Sequence, residues 1–189
     1  MLAISPNNIK YKPTGKSRQF MGRTLWQICN VTTGEDGGWI EHECNLSFFD
    51  SCWVSGEGIV CGNGVVKENA IVYGGMVTGG EVGGCASVLG GTIDGGCIYG
   101  HAIVAEEVPS EDSTCIDGGV IYGHAVITGG HIVSGFISGC ARIAGGIVGG
   151  ASYIVGGKII SGTIVKDQAR VLGGVHNNFQ TIRSFAYSE

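Results

Sequence analysis

The chain has 189 residues, 36 of them Gly and only 3 Pro, with 43% apolar residues. So much Gly excludes a mainly helical fold, because each Gly costs a helix about 1 kcal/mol relative to Ala; the few Pro and the apolar share exclude a collagen-like or disordered chain. Charged residues make up 14% and sum to a net charge of −5, which leaves no basic footprint for nucleic acid.

The first ten residues, Met1 to Lys10, are polar and charged where a secretory leader needs an apolar core, so the eight Cys are expected as reduced thiols in a cytoplasmic protein. None of Cys29, Cys44, Cys52, Cys61, Cys85, Cys97, Cys115 and Cys140 forms a C-x-x-C pair, which argues against a zinc ribbon. Thr14-Gly15-Lys16-Ser17 ends like a phosphate-binding loop, but Lys10 stands where its first Gly belongs. Phe20 to Val31 alternates as a strand or hairpin, and Phe48, Phe49 and Trp53 add aromatic mass. His42-Glu43-Cys44 reads as an exposed strand. Residues 1–50 are therefore expected to form a β-rich cap covering the open end of the following repeats.

Residues 51–174 are periodic. Val54, Val60, Val66 and Val72 stand six apart, and Val77, Val82, Val88, Ile93, Ile98 and Val104 continue in steps of five, five and six, so three short edges make a coil of 16 residues. An acidic insertion, 105–114, with Glu106, Glu107, Glu111 and Asp112, interrupts the series. It resumes at Ile116, Ile121, Ile127, Ile132, Ile137, Ile143 and Val148, then slips through Ile154, Ile159, Ile164 and Val171. Asp94-Gly-Gly-Cys-Ile-Tyr-Gly-His-Ala-Ile-Val104 recurs almost unchanged from Asp117 to Ile127, an offset of 23, one coil plus seven residues. Strand alternation puts Ala86 and Val88 inward and Ser87 and Leu89 outward, with Gly turning the corners. About seven such coils, stacked as parallel strands roughly 4.8 Å apart, predict a rod on the order of 35 Å long. The tail, 175–189, carries Phe179, Ile182, Phe185 and Tyr187, expected to dock on the far end or on a partner chain.

Edges of five or six residues, each with an aliphatic at a fixed place and a small residue two before it, resemble the hexapeptide-repeat, left-handed parallel β-helix proteins. The stretch from Gly34 to Ser47, followed by Trp53-Val54, is also similar to the opening cap of a YdcK-like branch of bacterial acyltransferases. The resemblance implies an all-β, single-stranded left-handed triangular β-solenoid and, for the enzymes of the family, trimers that bind acyl-CoA between neighbouring coils with a His as general base. Only the resemblance carries the handedness, the acyl-CoA and the catalytic role. The same coil serves enzymes and scaffolds alike.

The six-residue edges place an extra residue at one corner, down which run Asn69, Cys85, His101, His124 and Cys140. Side chains in one line at about 4.8 Å spacing do not converge tetrahedrally on a zinc ion, so no metal site is expected there. Tyr99 and Tyr122 lie beside the two His, with Asp94 and Asp117 one corner further back. These four are the candidate ligand-binding residues, and His101 and His124 are the catalytic candidates if the chain is an acyltransferase. The insertion contains no His, and no basic cluster awaits the phosphates of an acyl-CoA. Asp117 to Arg142 encloses a stretch free of acidic and basic side chains long enough to cross a bilayer, yet it alternates and carries His, so no membrane association is expected. A regular outward Thr ladder, as an ice-binding face needs, is missing.

Outward Ile71, Leu89, Ile103, Val126, Val120, Phe136, Val133 and Ile147 would leave apolar stripes on an isolated rod, which predicts a homo-oligomer, most simply a trimer. The reading that follows is a non-enzymatic scaffold or binding protein holding a protein partner or small ligand on its faces or between protomers, with no cofactor. Its alternatives are an acyl-CoA-dependent acyltransferase and a zinc hydratase-like metal protein using His101 and His124, joined by His131 from a neighbouring chain.

Overall fold

An edge of five residues has room for one inward aliphatic, one small inward residue and a turn, and this fixes the architecture. In a computed structural model describing residues 2–106, 113–177 and 179–186, the strands of the repeat region are mostly two residues long, the first facing out and the second in. They stack in parallel register as about eight turns of roughly 16 residues, a β-solenoid. Three ladders define three faces. Face 1 pairs Val54 with Val72, Val88, Val104, Ile127 and Ile143. Face 2 runs through Val60, Val77, Ile93, Ile116, Ile132 and Val148. Face 3 runs through Val66, Val82, Ile98, Ile121, Ile137, Ile154 and Val171.

The whole aliphatic series from Val54 to Val148 is buried, as are Ala70, Ala86, Ala102, Ala125 and Ala141 two residues before members of face 1. A small side chain is required there because successive coils hydrogen-bond directly, as where Ser87 N–H donates to Ala102 O at 2.9 Å. At the corner before Ile98, Gly96 has φ +81°, and a Cβ on it would lie 2.6 Å from Gly119 O of the next coil. Much of the Gly excess is spent on such corners.

The cap is a three-stranded antiparallel sheet, β1 (Tyr11–Phe20), β2 (Arg23–Asn30) and β3 (Asp36–Ile40). The alternating stretch from Phe20 to Val31 holds the strand β2 and not a whole hairpin; its hairpin partner is β1, which precedes it, with a register shift between Pro13 and Ser17 where the loop-like Thr14-Gly15-Lys16 falls. β3 is the adapter: antiparallel to β2, it pairs in parallel with Ile59–Val60, so the parallel stack starts at Trp39. Tyr11 and Ile28 join the core that runs on into the coils, Leu25 packs with Ile59 and Cys61 in a separate cluster, and the Tyr11 hydroxyl donates to Leu46 O at 2.8 Å. The far end is also paired into the stack, through Val175–His176, Thr181–Ile182 and Phe185–Ala186.

Three sequence readings are corrected. His42-Glu43-Cys44 is not a strand: Glu43–Asn45 is a short 3-10 turn, because Asn45 Oδ1 accepts the His42 N–H at 2.7 Å and bends the chain. Phe49 adds nothing to the cap interior, being 85% exposed, its ring tilted against that of the half-buried Phe48. In the slipped coil the inward residue is Val165, paired with Val148, while Ile164 faces out, because one extra residue lengthens the edge from Ile159. Glu107, Glu111, Asp112 and Tyr187 lie outside the described residues. Among the described residues no helix is long and apolar enough to cross a membrane, and all eight Cys are free thiols.

Candidate functional site

Corner residues face solvent because the chain must turn there, so the three corners and the outward positions beside them carry whatever chemistry the rod has. At the corner between faces 3 and 1, His101 and His124 N–H groups donate to Gly123 O (2.7 Å) and Gly139 O (2.8 Å) of the coils above. Identical backbone positions on successive coils put the two imidazoles in register, stacked at 5.1 Å with planes 5° apart. Parallel planes keep the in-plane nitrogen lone pairs side by side, not convergent. Neither ring is hydrogen-bonded to a side chain among the described residues, and Asn69, Cys85 and Cys140 are exposed on the same corner. Tyr99 and Tyr122 flank this corner. The Lys67 ammonium lies 5.5 Å over the Tyr99 ring, and the Tyr122 hydroxyl meets that of Tyr153 at 3.5 Å.

Asp94 and Asp117 stand at the other end of face 3, at its corner with face 2, an edge of five residues away. An extended edge of that length spans about 16 Å, so the duplicated Asp-Gly-Gly-x-Ile-Tyr-Gly-His segment does not gather into one wall. Asp94 accepts a hydrogen bond from Thr78 of the coil below. Asp117 is engaged differently: its Oδ2 lies 2.6 Å from His131 Nε2, and its Oδ1 accepts the Cys115 thiol at 3.2 Å. His131 and then Cys115 hold the Asp117 carboxyl below the usual carboxylate range. Burial first, then the hydrogen bond and charge of Asp117 and the charge of Asp94, push the Cys115 thiol up to about 11.

The sequence reading names Asp117 as a ligand-binding residue and His131 as a metal ligand beside His101 and His124, but it does not join them with Cys115 into this cluster, because it seeks ligands down one corner column or in C-x-x-C pairs. Its signal is plain in retrospect: Cys115 and His131 are 16 residues apart, one coil, and pair directly in register. Asp117, two after Cys115, shares its outward side because Ile116 between them is buried. Beside them an open groove of about 530 Å³ runs along face 2, lined by Cys115, His131, Ile147, Thr163, Ile164 and Phe179.

The outward apolar residues are spread over all three faces, and Ile71, Val126 and Val120 are half-buried by their neighbours. The densest group is on face 3, where the Phe136 and Tyr153 rings follow one another along one ladder, centroids 6.2 Å apart and planes tilted by 48°, 47% and 38% exposed, with Val120 and Leu172 beside them. A groove of about 500 Å³ lined by Phe136, Ala151, Tyr153, Gln168, Arg170 and Leu172 opens there. Comparison with protein-family models, curated proteins and solved structures finds no match. The functional reading therefore rests on this geometry.

Proposed function

We propose that the protein is a non-enzymatic β-solenoid scaffold that assembles side by side with copies of itself, most simply as a homotrimer, and holds a partner or small ligand on its outer faces. The observation that carries the reading is the aromatic ladder of face 3. Phe136, Tyr153, Tyr122 and Leu172 form an exposed group that monomeric proteins rarely tolerate, and closed rotational symmetry is the default way of covering it. Sedimentation equilibrium tests this directly: wild type is expected at three times the 19.5 kDa chain mass, and Phe136→Lys as a monomer with an unchanged circular-dichroism spectrum. A monomeric wild type, or a Phe136→Lys variant that assembles normally, would overturn it.

Acyl transfer is the competing reading, supported by two exposed imidazoles at one corner and by the resemblance of the repeat. Against it stands the ring stack, in which no carboxylate or carbonyl among the described residues fixes the tautomer of either His as a general base requires. Acetyl transfer from acetyl-CoA that disappears in His101→Ala or His124→Ala would replace the scaffold reading with the enzymatic one.

A further inference from the structure

We propose that Cys115, Asp117 and His131 form a site for one divalent transition-metal ion of the zinc class, held within a single chain and open on its fourth side to the groove along face 2. The site goes beyond the scaffold reading and does not depend on it. One sulfur, one carboxylate oxygen and one imidazole nitrogen lie within 4.8 Å of one another. Zinc takes such donors at about 2.0–2.3 Å, so tetrahedral ligands stand roughly 3.3–3.8 Å apart. Binding would require the 2.6 Å Asp117–His131 contact to open by roughly 0.7 Å, to the spacing of oxygen and nitrogen ligands on one zinc ion.

The donor set suits a divalent ion in charge as well as in geometry. On binding, Cys115 releases its thiol proton to solvent, and the thiolate and the Asp117 carboxylate together balance two positive charges, while neutral His131 adds the third bond. A mixed sulfur, nitrogen and oxygen set favours ions such as Zn²⁺ or Co²⁺ over Mg²⁺ or Ca²⁺, which prefer oxygen alone. The ladder sets the donors apart from the rest of face 2: Thr92 occupies the Cys115 position one coil below, and Ile147 the His131 position one coil above. Three protein ligands leave one coordination position. Cys115 and His131 both line the groove of about 530 Å³, so that position is available to water or to a small anionic or thiol ligand entering it.

Cobalt titration of the metal-stripped full chain tests the site. Wild type is expected to take up one equivalent of Co²⁺ with a thiolate-to-cobalt charge-transfer band that added Zn²⁺ bleaches. Cys115→Ser should abolish the band, His131→Ala should weaken binding at least tenfold, and Cys85→Ser, at an exposed thiol elsewhere, should change neither. A titration without saturation, or a band that survives in Cys115→Ser, would overturn the assignment. Should a variant fail to fold, alkylation of the unaltered protein decides: one equivalent of Zn²⁺ is expected to protect Cys115 selectively from iodoacetamide, read by peptide mass mapping, and no protection at Cys115 would refute the site.

Discussion

Gly96→Ala tests whether the coils are as closely stacked as the hydrogen-bond ladders require. Gly96 has φ +81°, a left-handed conformation that costs an L-residue roughly 1–2 kcal/mol. A Cβ there would also lie 2.6 Å from Gly119 O and 2.8 Å from Gly118 C, both backbone atoms of the next coil, which yield only if the two coils part. Overpacking of this kind costs about 1–3 kcal/mol, so the total loss is roughly 2–5 kcal/mol. Gly56 is the control: its φ is +54°, and the nearest atom to its Cβ is Tyr73 O at 3.3 Å. Gly56→Ala pays mainly the dihedral term. Any gain from a stiffer unfolded chain is common to both and cancels in the difference. Urea unfolding followed by circular dichroism, at unchanged slope, should show Gly96→Ala losing about 1–3 kcal/mol more than Gly56→Ala. Equal losses would refute the argument, because the next coil would then not occupy the space above Gly96.

The cap should be fastened by an ionised carboxylate. Burial raises the Glu41 pKa, but the Gly62 N–H at 2.8 Å, then Arg23 at 2.9 Å and His42, outweigh it and leave the carboxyl below its ordinary range. A depressed folded pKa contributes stability above the unfolded value of about 4.3, lost as pH falls through the folded one. Glu41→Gln should therefore cost on the order of 1 kcal/mol at pH 7, the difference between charged and neutral hydrogen bonds. Thermal melts of variant and wild type should draw together as pH is lowered from about 4.3; a gap independent of pH would show that ionisation of Glu41 is irrelevant. Deleting residues 107–113 should preserve the fold, because it returns Val104 and Ile116 to the five-residue step that Val88 and Ile93 make one coil below. Thr114→Gly in the same variant supplies the corner residue that Gly91 and Gly130 provide on the coils below and above. Unfolding on deletion would show that the insertion is structural, and loss of assembly alone that it clasps a neighbour.

The solenoid is legible because each edge repeats a two-residue decision, inward or outward, and the spacing of Val and Ile fixes it from Val54 to Val148. The reading falters where spacing is ambiguous. Ile164 and Val165 are adjacent and chemically alike, and only pairing with Ile147 and Val148 shows which faces in. His42 to Asn45 departs from strand because of one side-chain-to-backbone hydrogen bond, which leaves no periodic trace. The His101–His124 stack is visible as a repeat of 23 residues, one coil plus the insertion. The Cys115–Asp117–His131 cluster combines an i, i+2 pair with a one-coil step, so it appears only when both periods are applied together.

That double period explains how a fold built from a simple repeat acquires a local site. Outward residues at equivalent positions on successive coils stand side by side, as Cys115 and His131 do, so a site needs substitutions on only two coils and leaves the buried series unchanged. Thr92 and Cys115 occupy equivalent positions above the same inward pattern, with Ile93 and Ile116 beneath them both buried. Chemistry can therefore differ between neighbouring coils at little cost to packing. The faces are equally independent: Phe136 and Tyr153 point out from face 3, whereas Cys115 and His131 point out from face 2. Assembly through the aromatic ladder would leave the face 2 groove open, so loss of assembly in Phe136→Lys and loss of cobalt binding in Cys115→Ser should not accompany one another.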